Sequence, residues 1–425
     1  MKFSIPYGRD RLDVNIPNEK IASILTPRSI DHVPDGREAI CHALRQPIGT
    51  KMIRDQVSRS DRVTIMISDV TRPVPDGLIL PHLINELSEA GVADERIRIL
   101  VATGLHRPCT REELQQRIGK VVDRIPVTSH DARDTGNLAC IGRTSVGNDV
   151  WINSSVATSD FKIATGCIEP HTLAGYSGGR KTILPGVAGE ETIRHNHSPE
   201  MIVHPKVGFG RIDENPIHTE MQEASKLANL DFIVNVVWTP TGKLMKTVAG
   251  NPEQAWREGV RAADEIYRRT LDKKADIVVA GVGGYPHDIN LYQAISHGLD
   301  STLPLVRDGG SIVLVAECSE GVGSDVMYRW LKEASTPEDV LHRMKREGLA
   351  MNGHVAWYLC LNVLTRVKII VVSKLPPRLL DDMFMKPASS VADALALAAH
   401  NLGRSWETIV IPDASKIVSE IRGNE

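Results

Sequence analysis

Cysteine is scarce and shows no framework. The 425-residue chain has 6, at positions 41, 109, 140, 167, 318 and 360, and no two form a Cys-x-x-Cys pair. That argues against a disulfide scaffold and a thiolate zinc site, and it fits a reduced, cytoplasmic protein. Aromatic residues make up only 4% of the chain, too few for a base-stacking platform. Neither sign of charge dominates: 50 Lys and Arg face 53 Asp and Glu, for a net charge of -3. With no basic surplus, neither nucleic acid nor an anionic membrane is an expected partner. No apolar run reaches the length of a membrane span. The opening Met1-Lys2-Phe3-Ser4-Ile5-Pro6 has no signal-peptide core. Internal repeats and low-complexity tracts are also missing.

What is present is a recurring series of short β-branched runs. They lie at Val63–Ile67, Ile97–Ala102, Phe161–Ala164, Phe232–Val237, Ile277–Ala280, Ile312–Val315, Val367–Val372 and Ile409–Ile411. Several are almost continuously apolar, as strands buried on both faces of a parallel sheet are. Helical stretches separate them. Leu78–Ala90 ends at Gly91, Pro252–Arg269 opens on a proline suited to a first turn, and Val391–Leu402 ends at Gly403. Strands alternating with helices predict an α/β fold with largely parallel sheets. A charged break at Asp272-Lys273-Lys274 suggests two α/β domains, residues 1–270 and 271–404, facing each other across a cleft. Residues from about 405 to 425 are candidates to return to the first domain.

Polar clusters follow the strands. Ser68-Asp69-Val70-Thr71-Arg72, Thr103-Gly104-Leu105-His106-Arg107 and Glu169-Pro170-His171 do so in the first half. Gly283-Gly284-Tyr285-Pro286-His287-Asp288 and Glu317-Cys318-Ser319-Glu320-Gly321 do so in the second. Open α/β sheets bind ligands beyond the carboxyl ends of their strands. Turn residues are expected at any strand end, so it is the recurrence that points to a site.

The individual groups carry two readings each. Asp69 and Arg72, ahead of Pro73 and Pro75, fit either a capped rigid turn or an arginine fork for a carboxylate or phosphate. His106 is either an exposed loop histidine or a proton carrier near neutral pH. His171 follows Pro170, which restricts Glu169 and sets the direction of the chain; here a functional role outweighs a simple turn. The segment Gly175-Tyr176-Ser177-Gly178-Gly179-Arg180-Lys181-Thr182 looks like a phosphate loop. A Walker loop requires glycine directly before the lysine, and Arg180 stands there instead. A glycine-rich turn still brings backbone close to a ligand, Arg180 remains a candidate for phosphate, and an amine such as that of Lys181 can form a covalent bond. His195 and His197 are two apart, so on a helix they point different ways and at most one would serve a given metal. His287, Gln293 and His297 form a further cluster with no assigned role.

Taken together these motifs resemble the lactate racemase family, the nickel-pincer nucleotide enzymes. The resemblance runs through SDVTRPVP at 68–75, ATGLHRP at 102–108, IEPHTLAGYSGGRKTILPG at 168–186, HNHSPE from 195 and GGYPHDINLYQA at 283–294. The long central segment is its most specific part. The resemblance implies a cofactor, a pyridinium-3-thioamide-5-thiocarboxylic acid mononucleotide carrying nickel, joined covalently to Lys181. It implies His197 as the protein ligand to the metal and His106 and His171 as the acid and base. Arg72 would grip the substrate carboxylate, with Gln293, Ser296 and Trp357 near the substrate. Asp69 would bind the cofactor or orient a neighbour, and Ser177, Gly178, Gly179 and Arg180 would surround the cofactor. Proteins that make the cofactor are the implied partners.

The implied reaction inverts C2 of a 2-hydroxy acid. Its hydrogen leaves as hydride while a base takes the hydroxyl proton, and a planar 2-oxo acid results. One histidine on each side then serves both enantiomers. The chain departs from the pattern at Ser296, where lactate-acting members are expected to carry lysine; losing that charge points to a different or larger 2-hydroxy acid. Two other functions compete: a nucleotide- or phosphate-dependent transferase using the loop at 175–182, and a non-catalytic carboxylate-binding protein.

Overall fold

The computed structural model describes residues 1–347, 353–400, 402–403 and 405–423. The chain divides into one unit of Ser29–Ile266 and another of Met1–Arg28 with Tyr267–Glu425.

The unit of 29–266 is built on a six-stranded sheet. In spatial order the strands are Leu244–Gly250, Phe232–Trp238, Phe161–Cys167, Val63–Ser68, Ile97–Ala102 and Val127–Ser129. All neighbours pair in parallel except the edge strand Leu244–Gly250, which is antiparallel to Phe232–Trp238. The predicted apolar runs are the interior strands, and Phe161–Cys167 is buried along its whole length, as a strand covered on both faces must be. On one face Ile65, Ile67, Ile99 and Val101 pack with Ile79, Leu80 and Leu83 of the helix Asp76–Glu89. Each such side chain contributes about 1.5–3 kcal/mol on burial. The helix Arg111–Ile118 begins with a reciprocal capping box between Thr110 and Glu113, worth about 1 kcal/mol.

The order of these strands places the site. From Val63–Ser68 the chain moves outward through Ile97–Ala102 to Val127–Ser129. It then crosses back and lays Phe161–Cys167 on the other side of Val63–Ser68. The strand order reverses there, so the loops leaving these two strands part in opposite directions and open a crevice at their carboxyl ends.

The second unit carries a parallel sheet in the order Lys386–Ala388, Lys368–Val372, Val306–Val315, Ala275–Gly281, Thr408–Ile411, Ile21–Ile24. This corrects the domain limits. The first 28 residues do not belong with the unit of 29–266. Ile21–Ile24 extends the second sheet beside Thr408–Ile411, and Ile5, Val14 and Ile16 enter the core of that unit with Val279, Val313 and Val410. Nor does the C-terminal segment return to the first unit: Thr408–Ile411 pairs with Ala275–Gly281, and Val418–Ile421 pairs with Arg268–Leu271. That last pairing also ends the helix Pro252–Tyr267 two residues earlier than expected, because Arg268 and Arg269 are drawn into a strand. The helix from Val391 stops at Ala399.

Candidate active site

The crevice at the strand reversal is a cavity of about 280 Å³. Asp69 and Arg72 reach it from the loop after Val63–Ser68, His106 from the loop after Ile97–Ala102, and His171 from the segment after Phe161–Cys167. Lys181, Ser177 and Gly178 come from the glycine-rich turn, and His197 from the end of the helix Glu190–Asn196. Gly104 N–H donates to the Gly186 carbonyl at 2.9 Å, which fixes the His106 loop against the glycine-rich segment.

Asp69 is only 5% exposed. Its Oδ1 accepts from the Thr71 N–H at 3.0 Å and the Thr71 hydroxyl at 2.6 Å, and its Oδ2 lies 2.5 Å from His106 Nδ1. Burial pushes the Asp69 carboxyl up, but the hydrogen bonds from His106 and Thr71 outweigh it and hold the group below the usual carboxylate range. An ionised Asp69 places a proton on His106 Nδ1 and leaves Nε2 as the basic atom. Asp69 is thereby tied to His106.

His171 is set the opposite way. Its Nδ1 accepts from the Leu173 and Ala174 N–H groups at 3.1 and 3.2 Å, and its Nε2 lies 2.8 Å from Lys181 Nζ. With Nδ1 used as an acceptor, the imidazole proton sits on Nε2 and points to the lysine amine. Burial, together with Lys181 and Arg72, pushes His171 well below its ordinary value. Burial, Arg72 and Arg180 do the same to Lys181. Both effects favour the neutral, nucleophilic form of the Lys181 amine. Arg72 is 3.7 Å from Glu169 Oε1, a partner that sequence reasoning did not assign to it.

The glycine-rich turn is shaped by its surroundings. Gly178 has φ +76 and ψ 178, a conformation open to glycine, and a Cβ there would come within 2.6 Å of Asn235 Oδ1. That oxygen accepts the Gly179 N–H at 2.8 Å. Ser177 Oγ donates to the Cys167 carbonyl at 2.8 Å and accepts from the Glu169 N–H at 3.0 Å. Arg180 corrects the expectation of a cofactor or phosphate ligand. It turns inward and donates to His218 Nδ1 at 2.8 Å and to the Ala174 and Tyr176 carbonyls at 2.7 and 3.1 Å, lying over the Trp256 ring at 3.8 Å. Its fork braces the turn from behind. Asn235, His218 and Trp256 were missed in the sequence; a polar residue inside the apolar run Phe232–Val237 was the signal for the first.

His195 and His197 separate as their spacing requires: His197 lines the cavity, whereas His195 Nδ1 lies 3.5 Å from Glu220. Gln293 and Ser296 belong to the other unit, on the helix Leu291–Thr302. The Gln293 N–H donates to Asn290 Oδ1 at 2.9 Å, and the Ser296 hydroxyl donates to the Tyr292 carbonyl at 2.9 Å. Trp357 is on the helix Gly353–Tyr358, and its side chain lies outside the described residues. The His287 and His297 rings lie tilted against each other with centroids 4.5 Å apart. Among the described residues no group of three or more His, Cys, Asp or Glu side chains is placed to hold a metal ion. No described helix is long and apolar enough to cross a membrane.

Two imidazoles, a lysine amine and an arginine meet at the reversal of a largely parallel sheet, where α/β enzymes place their sites. Comparison with known proteins agrees. Residues 7–210 match the lactate racemase N-terminal domain and residues 270–419 the lactate racemase C-terminal domain. The chain is 36% identical to the lactate racemase of Thermoanaerobacterium thermosaccharolyticum over 98% of both chains. It is 33% identical to that of Lactiplantibacillus plantarum, over 98% of this chain and 99% of that one. The structure of the T. thermosaccharolyticum lactate racemase apoprotein superposes with a TM-score of 0.89, covering 99% of this chain and 100% of that one. A Thermotoga maritima protein of 18% identity shares the fold, with a TM-score of 0.64 over 93% of this chain and 100% of that one. The chain belongs to the lactate racemase family and is an isomerase.

Proposed function

We propose that this enzyme inverts C2 of a 2-hydroxy acid, using a nickel-pincer nucleotide attached to Lys181. The residues around the cavity suit such a group. Lys181 offers an amine whose pKa is pushed down for the covalent link, His197 offers an imidazole on the same wall, and Gly178 brings bare backbone to the cavity. Among the described lining residues Arg72 is the group suited to meet a carboxylate or phosphate. Ser177 and Gly179 shape the wall and Arg180 supports it. When bound, the nickel-pincer nucleotide supplies an acceptor for the C2 hydride.

The chain's own residues do the rest. Arg72 binds the substrate carboxylate and fixes C2. His106 Nε2 takes the hydroxyl proton of one enantiomer, and the Asp69 carboxylate stabilises the imidazolium that forms. With Lys181 engaged by the cofactor, His171 serves the other enantiomer; to take its hydroxyl proton at Nε2, the ring must first carry its own proton on Nδ1, in place of the N–H contacts from Leu173 and Ala174. Each histidine returns a proton where the other removed one, as microscopic reversibility requires. The planar 2-oxo acid is retained between them. The family resemblance assigns Gln293, Ser296 and Trp357 to the remainder of the substrate. With its hydroxyl engaged by the Tyr292 carbonyl, Ser296 presents no charge, so a substrate longer than lactate is favoured.

The placement of His106, His171, Arg72 and Lys181 around one cavity is the observation that carries this proposal. A panel of chiral 2-hydroxy acids, offered to enzyme produced with the cofactor-making proteins, tests it. Racemisation of one or more of them is expected; loaded enzyme that inverts none, lactate included, refutes it.

A further inference from the structure

Behind the Asp69–His106 pair stands a second, buried pair that the proposed chemistry does not use. Asp76 opens the helix Asp76–Glu89 with its side chain 0% exposed, and Arg117 lies in the last turn of the helix Arg111–Ile118 with its side chain 11% exposed. Arg117 Nε donates to Asp76 Oδ2 at 2.8 Å, while Arg117 Nη1 donates to the Asp69 carbonyl at 2.5 Å. Asp76 Oδ1 accepts from the Thr165 hydroxyl at 2.6 Å, on the buried strand Phe161–Cys167. Gly77 lets the two helices close: a Cβ there would sit 2.8 Å from the Arg117 carbonyl oxygen.

These bonds form one line: Thr165, Asp76, Arg117, the Asp69 backbone, the Asp69 carboxylate, His106. It ties the two strands that flank the reversal to the loops that leave them. A buried ion pair is weak evidence for stability, since apolar residues of similar volume often do as well. Nor does an Asp76–Arg117 pair need a third group. The fork, however, spends its second arm on the carbonyl of the residue that holds His106. Arg117 Nη2 is buried with no hydrogen-bond partner among the described residues, so the fork is aimed by these two bonds.

We infer that Arg117 is a positioning residue for proton transfer, holding the Asp69 backbone so that its carboxylate meets His106 Nδ1. This rests on the role proposed above for His106. Loss of the arm frees the Asp69 loop to move, and misplacement by about 1 Å costs on the order of 100-fold in rate.

The test uses Arg117→Lys, which keeps a cation against Asp76 but lacks the fork, and the double variant Asp76→Leu with Arg117→Met, which removes both charges. Thermal unfolding reports the fold, and the imidazole ¹⁵N shifts of His106 in cofactor-free protein report its tautomer. Turnover of loaded enzyme gives kcat and KM. We expect both variants to melt near the wild-type temperature, to lose the Nδ1–H preference of His106, and to drop in kcat by at least about 30-fold with KM within about threefold. A double variant that melts like wild type and keeps both the His106 shifts and kcat would overturn the inference. If it does not fold, Arg117→Lys with unchanged His106 shifts does the same. Since the shifts need neither cofactor nor substrate, a failure of the proposed racemisation leaves this result readable.

Discussion

Replacing Asp69 by asparagine should stop the enzyme while leaving its shape intact. Thr71 donates to Oδ1 from both its N–H and its hydroxyl, so the amide oxygen of the substituted side chain must occupy that side. The amide NH₂ is then left facing His106 Nδ1. It can only donate, so Nδ1 must accept and the imidazole proton moves to Nε2. The atom that should take the substrate proton is now blocked. Wrong-tautomer substitutions of this type cost about 10⁴ in kcat, and a general base alone is worth about 10²–10⁴. We therefore expect kcat to fall by about 10³ or more. KM should change little, because Arg72 is untouched. The equilibrium constant between enantiomers is unity, so kcat/KM must fall equally in both directions. The folded state loses a charged hydrogen bond worth about 1.5–3 kcal/mol but no longer buries a carboxylate, and the melting temperature should move little. The assay is polarimetry or chiral chromatography from each pure enantiomer. An Asp69→Asn enzyme within threefold of wild type would refute the tautomer argument.

Three further outcomes are expected. Because burial and nearby cations depress the pKa of Lys181, its labelling by a small acylating reagent should rise less steeply from pH 7 to 9 in cofactor-free protein than that of an exposed lysine. An exposed lysine gains about tenfold per pH unit there, and the same slope at Lys181 would contradict the assignment. His218 is pushed down to about 3 by burial, Arg180 and Arg257. A depressed folded pKa means that its stabilising contribution is complete above the unfolded value of about 6.5 and is lost as pH falls toward 3, by on the order of 5 kcal/mol in total. His218→Gln should flatten the urea midpoint across that window, and an unchanged acid slope would exclude His218 as its source. Gly178→Ala should destabilise by about 1–3 kcal/mol, since its backbone is in a region reserved to glycine and its Cβ would meet Asn235; an unchanged urea midpoint would show that the turn relaxes.

Much of this was legible in the sequence because burial on both faces writes itself as unbroken apolar runs. Val63–Ile67, Ile97–Ala102 and Phe161–Ala164 therefore located the strands that frame the cavity, and the polar residues just beyond them located its contents. Strand order was not legible. The runs say nothing of which neighbour each strand takes, so Ile21–Ile24 was assigned to the wrong unit. The short pairing of Arg268–Leu271 with Val418–Ile421 was hidden too, because its charged residues give no alternation. Side-chain direction was the other gap. Arg180 sits in a motif that reads as phosphate-binding, yet its fork faces carbonyls, His218 and Trp256, the last two far along the chain. Asp76 and Arg117 are 41 residues apart and look like ordinary surface charges on two helices until the fold buries them together.

The measurement that decides most is intact mass with metal analysis on enzyme produced alongside the cofactor-making proteins. A nucleotide-sized addition mapped to Lys181, nickel near one per chain, and loss of both the addition and racemisation in Lys181→Ala are predicted. An unmodified Lys181 without nickel, under conditions that load another lactate racemase, would contradict the proposal.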